Sequence, residues 1–246
     1  MKKLGSLVFA TGLLVSLSLG AITVFAEEGG EYESKGVITF KPSVEPIDPV
    51  DPNDPSSPIK PIDPINPETE PTPGTKGPLS IDYASNLDFS TQKITSKDEV
   101  YMAKAQKYLT KDKQEKNGPN FVQVTDNRGT EAGWTLQVKQ NGQFKTADSK
   151  ELTGAEVVFK NGNVVTTSAS AKPTGQIQIT TDTDGSLQNV MAAKVGQGAG
   201  TFLHNWGTNA ETAAKSIELH VPGATTKYAK EYSTTFTWVL TDAPVN

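Results

Sequence analysis

The sequence predicts an all-β protein: a β-sandwich of roughly eight to ten short antiparallel strands, preceded by a proline-rich extended linker. Three observations predict it. Short runs alternate apolar and polar residues at period two. Gly, Asn, Asp or Pro separates one run from the next. No helical period, heptad or fixed-length repeat is sustained anywhere. The clearest run is the last, Tyr232 to Pro244, where Phe236, Trp238 and Leu240 share one face and Thr235, Thr237, Val239 and Thr241 the other. A shorter copy stands at Gly133–Val138, with Trp134, Leu136 and Val138 on one face. Both use the β-branched and aromatic residues that suit a half-buried pleated surface.

Residues 1–26 read as a secretory signal peptide. Lys2 and Lys3 precede an apolar run from Leu4 to Phe25, and Val24-Phe25-Ala26 supplies short residues before a cleavage point, followed at once by Glu27-Glu28. Its removal leaves 21 basic against 28 acidic side chains, a net −7. The chain has no cysteine, so packing alone must hold it together. The acidic balance excludes nucleic acid, which needs a basic face. It equally excludes simple charge attraction to an anionic polymer or membrane surface.

Residues 27–45 form an extended N-terminal segment in which Val37 and Thr39 alternate with Ile38 and Phe40. Too short to bury anything alone, it is read either as an added edge strand or as a free extended segment. Residues 46–78 follow as an acidic, proline-rich linker. A proline recurs at every third position from Pro46 to Pro67, the period of polyproline II, and Asp48, Asp51, Asp54 and Asp63 repel one another. Those twenty-two residues, at about 3.1 Å each, would make a stiff spacer of roughly 70 Å.

The globular domain is placed at 79–246. Leu79–Tyr83 and Leu87–Phe89 alternate and open it. At 96–109 the signals conflict. Ser96-Lys-Asp-Glu99 resembles a capping box, whereas Tyr101, Ala103 and Ala105 alternate and the surroundings are all β. Strand is the preferred reading. Phe121–Asp126 is a strand, Asp126–Gly129 a turn and Trp134–Gln140 a strand. Asn141-Gly142 and Asn161-Gly162, each between alternating runs, predict two tight hairpins, because type I′ turns need positive φ at both centres. Ile177–Thr180, Thr201–Trp206 and Ile217–Val221 complete the set before the final strand.

Candidate sites are few. His204 and His220 are the only histidines, and His220 alternates with Leu219 and Val221, which places it toward solvent. No G-x-S-x-G or H-E-x-x-H pattern occurs, so no catalytic residue, cofactor or metal site is expected. Gly196-Gln-Gly-Ala-Gly200 lacks the following helix that a phosphate loop needs and reads as an inter-strand loop. Asp182-Thr-Asp-Gly185 lacks the later acid of a calcium loop and reads as a turn. Trp134 and Trp238 read first as core fasteners, since each indole buries about 150–250 Å², and second as stacking platforms for sugar rings. Trp206, beside the Gly-rich loop, is the expected exposed stacking surface.

Two Trp-x-Leu triplets, Trp134-Thr-Leu136 and Trp238-Val-Leu240, occur with particular flanks. These are Glu33-Ser-Lys-Gly36, the acidic proline stretch, Leu79–Tyr83, Pro119–Gly129 and Val221-Pro-Gly223. With them the chain resembles a small WxL-domain protein of Gram-positive bacteria over nearly its whole mature length. The resemblance implies a secreted protein held noncovalently at the cell wall through a peptidoglycan-binding domain. It implies assembly with other surface proteins, including a membrane-anchored wall-associated partner, and links some members to host contact, with host extracellular proteins as ligands. Trp134, Leu136, Trp238 and Leu240 carry over as the signature. No catalytic residues are attributed to the family. The competing expectation is a protein–protein interaction module retained at the wall only through such a partner. Val37, Ile38 and Phe40 are the expected docking residues for a partner.

Overall fold

The computed structural model describes residues 31–244. The signal peptide expected at 1–26 lies outside them. Residues 31–49 contain no strand. The strands then run β1 (Val50–Asp51), β2 (Asp54–Ile62), β3 (Leu79–Ala84), β4 (Glu99–Met102), β5 (Gln106–Thr110), β6 (Glu115–Gly118), β7 (Asn120–Asp126) and β8 (Trp134–Gln140). β9 (Glu156–Phe159), β10 (Gly162–Val165), β11 (Thr174–Gly175), β12 (Ile179–Thr181), β13 (Gln188–Ala193) and β14 (Gly200–Trp206) follow. After the single-turn helix α1 (Ala210–Ala213) come β15 (Ile217–Val221) and β16 (Phe236–Thr241). Every strand pairing is antiparallel, in four four-stranded sheets ordered β1-β2-β5-β6, β10-β14-β7-β3, β11-β13-β8-β16 and β12-β9-β15-β4.

The layers follow from which side chains meet. On one face of β10-β14-β7-β3, Ile81, Val122, Val124, Phe202 and Trp206 join Trp134, Leu136, Val157, Phe159, Ile217 and Leu219 in the main core. On its opposite face, Tyr83, Phe121 and Leu203 meet Ile59 and Tyr108 in a second, smaller core. The sheet is therefore covered on both sides, and all seven residues of β7 are buried. In sequence, Leu79–Tyr83 reads as an alternating run and Phe121–Asp126 as a strand, neither of them as covered on both faces. Phe121 beside Val122 is the local trace of two-sided burial.

The cover on the second face corrects the linker expectation. Residues 50–62 do not form a free polyproline spacer. They form β1 and β2, and Ile59 to Ile62 pair with Lys107 to Thr110 of β5. Three buried amide side chains fasten this segment by its backbone. Gln123 accepts from Val50 N and donates to Asp48 O, Asn205 donates to Pro52 O at 2.7 Å, and Gln106 donates to Ile62 O. The prolines cannot donate to a ladder, and side chains bind carbonyls of this segment: Gln123 and Asn205 from the neighbouring sheet and Gln106 from β5 of its own. Among the described residues, 40–244 form one unit and 31–39 belong to another.

Two further expectations change. Neither Asn-Gly pair makes a hairpin. β8 turns at Asn141-Gly142 but pairs with β13 and β16, which offer it longer partners. Asn161, at φ 54°, carries the chain from β9 in one sheet to β10 in another, held by a bond from its Nδ2 to Ser216 Oγ. Leu87–Phe89 is irregular, although Phe89 reaches the core. The strand reading of 96–109 holds, as β4 and β5; the apparent capping box caps nothing. The helix that does form was not anticipated: Asn209 and Thr212 cap α1 reciprocally.

Candidate functional site

The two Trp-x-Leu triplets, about a hundred residues apart in sequence, lie side by side. β8 and β16 are antiparallel neighbours in register Trp238↔Val138, Leu240↔Leu136 and Thr241↔Thr135, so the two leucines face each other across the ladder. Such directly opposed side chains approach closely enough to stabilise the pair.

The two tryptophans have different environments. Trp134 is fully buried, and its Nε1 donates to Gly198 O at 3.0 Å. Gly198 has φ 82°, and a Cβ there would lie 2.6 Å from Trp134 Nε1. The Gly196–Gly200 stretch is therefore the inter-strand loop expected, and its tight path seals Trp134. Arg128 steadies the approach to Trp134. It pairs with Asp126 at 2.8 Å and donates to Gly133 O.

Trp238, by contrast, is only half-buried, as are Phe236 and Leu240 on the same face of β16. β16 ends its sheet, and among the described residues only β8 flanks it. Trp238 rests on Trp206, with ring centroids 5.8 Å apart, and Trp206 in turn contacts Phe159 at 4.8 Å. Phe159 meets Phe236 edge-on at 6.1 Å, closing an aromatic cluster under the outer strand. On the opposite face of the same sheet, Asn141 Nδ2 donates to Thr235 and Thr237, and Gln137 bonds Asn189. Phe236, Trp238 and Leu240 thus form an apolar strip along the sheet edge, with a polar sheet face behind it.

The sequence profile described as "WxL domain surface cell wall-binding" matches residues 27–244. The chain belongs to the WxL family. The domain is accordingly a cell-wall-binding surface domain, and both Trp-x-Leu strands just described lie within the match. No curated protein and no solved structure matches the chain.

Within this WxL domain, the expectation of an exposed Trp206 is corrected. Trp206 is 1% exposed, because positions 202, 204 and 206 of β14 all point into the main core. It is the floor beneath Trp238, and its Nε1 finds no partner among the described residues. His204, two residues earlier, is buried as well. Burial pushes its pKa down to about 4, against the bond of its Nε2 to Gln176 O at 3.0 Å. His220 is half-exposed, as alternation predicts, and bonds Glu218 at 2.7 Å. Asp182–Gly185 is a turn in which Asp184 accepts from Ser186 N. Val37, Ile38 and Phe40 are 91%, 76% and 85% exposed on a segment with no strand pairing.

Two open clefts occur elsewhere on the domain. One of about 570 Å³ lies against Asp51, Ile59 and Tyr108, and one of about 470 Å³ against Lys150, Pro222 and Tyr228. Neither is lined by a signature residue. The residues that sequence reasoning missed are the polar ones that join layers. Besides Gln123, Asn205 and Gln106, Asp82 is buried, which raises its pKa, while Ser80, Gln123 and Thr125 donate to its carboxylate. Alternation places such residues on a face but does not say that the face is covered.

Proposed function

We propose that this protein binds peptidoglycan noncovalently through its WxL domain, with the β16 edge as the contact. The observation that carries the reading is the asymmetry of the two triplets: Trp134 and Leu136 are sealed, whereas Trp238 and Leu240 are half-open on a sheet edge. An indole lying on an aromatic floor offers a flat apolar face to the ring hydrogens of a sugar. The net charge of the chain disfavours attraction to an anionic wall by charge alone, so contacts of this kind must supply the affinity. The protein acts as an exported binding protein rather than an enzyme. It works within a multiprotein surface assembly, with host contact as an outcome of that assembly.

The test is sedimentation of the purified mature chain with isolated peptidoglycan and no other protein. Binding that Trp238→Ala abolishes while the domain stays folded supports the reading. No binding by the folded wild-type chain overturns it and favours retention through a membrane-anchored partner. The exposed Val37, Ile38 and Phe40 serve partner docking by adding a strand to a sheet edge. Deleting residues 27–45 should leave wall binding intact and weaken capture of the surface partner. Unchanged capture would count against that role.

A further inference from the structure

We infer that the sheet edge receiving residues 36–41 is β16 of a second copy of this chain, so that copies join head to tail by strand addition. The inference rests on the docking role proposed above for Val37, Ile38 and Phe40 and names its acceptor.

The edge strand itself is the first observation. β16 reads Phe-Thr-Trp-Val-Leu-Thr, with no charge, no proline and no glycine. Exposed edges in natural proteins carry lysine, proline or a bulge, because an unguarded row of N–H and C=O groups recruits another strand. β16 has none of these devices, and its register with β8 is unbroken from Phe236 to Thr241. Its core-facing residues remain half-exposed because no further strand flanks them.

The second observation is the matching segment. Residues 36–41 equal β16 in length, at six residues, and are unpaired, with Ile38 and Phe40 apolar on alternate positions. Laid beside β16, they would satisfy the backbone groups of both strands. Either Ile38 and Phe40 or Val37 would then cover the half-open Trp238 and Leu240, which leaves the uncovered β16 of the last copy in a string as the edge that contacts the wall. Charge agrees in either direction of pairing. Lys35 and Lys41 stand at the two ends of the segment, and Asp242 follows the end of β16. A donor segment and an acceptor edge at different places on the chain make a heterologous contact, which builds open strings where the rotation between copies does not close and rings where it does.

The experiment is sedimentation velocity on the mature chain across a concentration series, with no wall polymer present. The expected result is mass rising beyond the dimer with concentration. A peptide of residues 31–42 should return it to monomer. Phe40→Asp, on an exposed unpaired residue, should weaken association at least about tenfold, as should Val239→Lys on the edge strand with its β spectrum unchanged. A chain that stays monomeric at all concentrations overturns the inference. So does association that survives deletion of residues 27–45, which would mean β16 pairing with β16. A monomeric chain that still needs residues 27–45 to capture a surface partner removes this inference and leaves the docking role standing.

Discussion

Trp134 and Trp238 belong to the same kind of triplet and to neighbouring strands, yet one is a fastener and the other is half-open. Trp134 has no solvent face, a bonded Nε1 and a glycine loop pressed against it. Trp134→Ala should therefore destabilise the domain by about 3–5 kcal/mol, read as a shifted denaturant midpoint. Trp238→Ala should cost less, about 1–3 kcal/mol, while removing wall binding. A loss as large as that at Trp134 would make Trp238 a core residue too. His204 yields a pH prediction. Its folded pKa, about 4, lies below the ordinary histidine value of about 6.5. The unfolded chain thus binds the proton more tightly. The stability contributed by neutral His204 is whole above about pH 6.5 and falls by up to about 1.4 kcal/mol per unit as pH drops toward 4. His204→Gln should flatten that part of the profile in chemical denaturation at pH 7.5 and 4.5. An unaltered slope would reject the assignment.

Among the elements, β2 departs furthest from its sequence. A proline at every third residue is a polyproline signature, and nothing local marks Ile59 as buried. What converts part of the repeat into a strand is remote: an open face of β5 and the side chains of Gln123, Asn205 and Gln106 that bind its backbone. Ile59→Ala measures this directly. As part of the second core it should cost about 2–3 kcal/mol in equilibrium unfolding, whereas in a hydrated spacer it would cost nothing. The two Asn-Gly turns teach a related lesson. Only one residue of each pair, Gly142 and Asn161, has positive φ, so neither pair is the type I′ turn that a tight hairpin needs. β8 pairs with β13 and β16 because those pairings bury Leu136 and Val138, and Asn161 sends the chain to another sheet.

For the whole molecule, the layering moves the functional boundary of the fold toward the N-terminus. The sheet β10-β14-β7-β3 needs cover on both faces, and residues 48–62 supply part of one. A fragment 79–246 should therefore unfold at lower denaturant than a fragment 43–246 and bind a hydrophobic dye, since Tyr83, Phe121 and Leu203 lose their neighbours. Equal stability of the two fragments would restore the spacer reading.

The sequence by itself determined the all-β class, most strand positions in 79–246 and the family, because period-two alternation and a pair of spaced triplets are local or nearly local signals. Only the tertiary structure decided that the two triplets are adjacent, that Trp206 is a floor rather than a platform, and that a proline repeat closes a second core. Each of these depends on which faces meet, and burial is a property of the pair of faces, not of either strand alone.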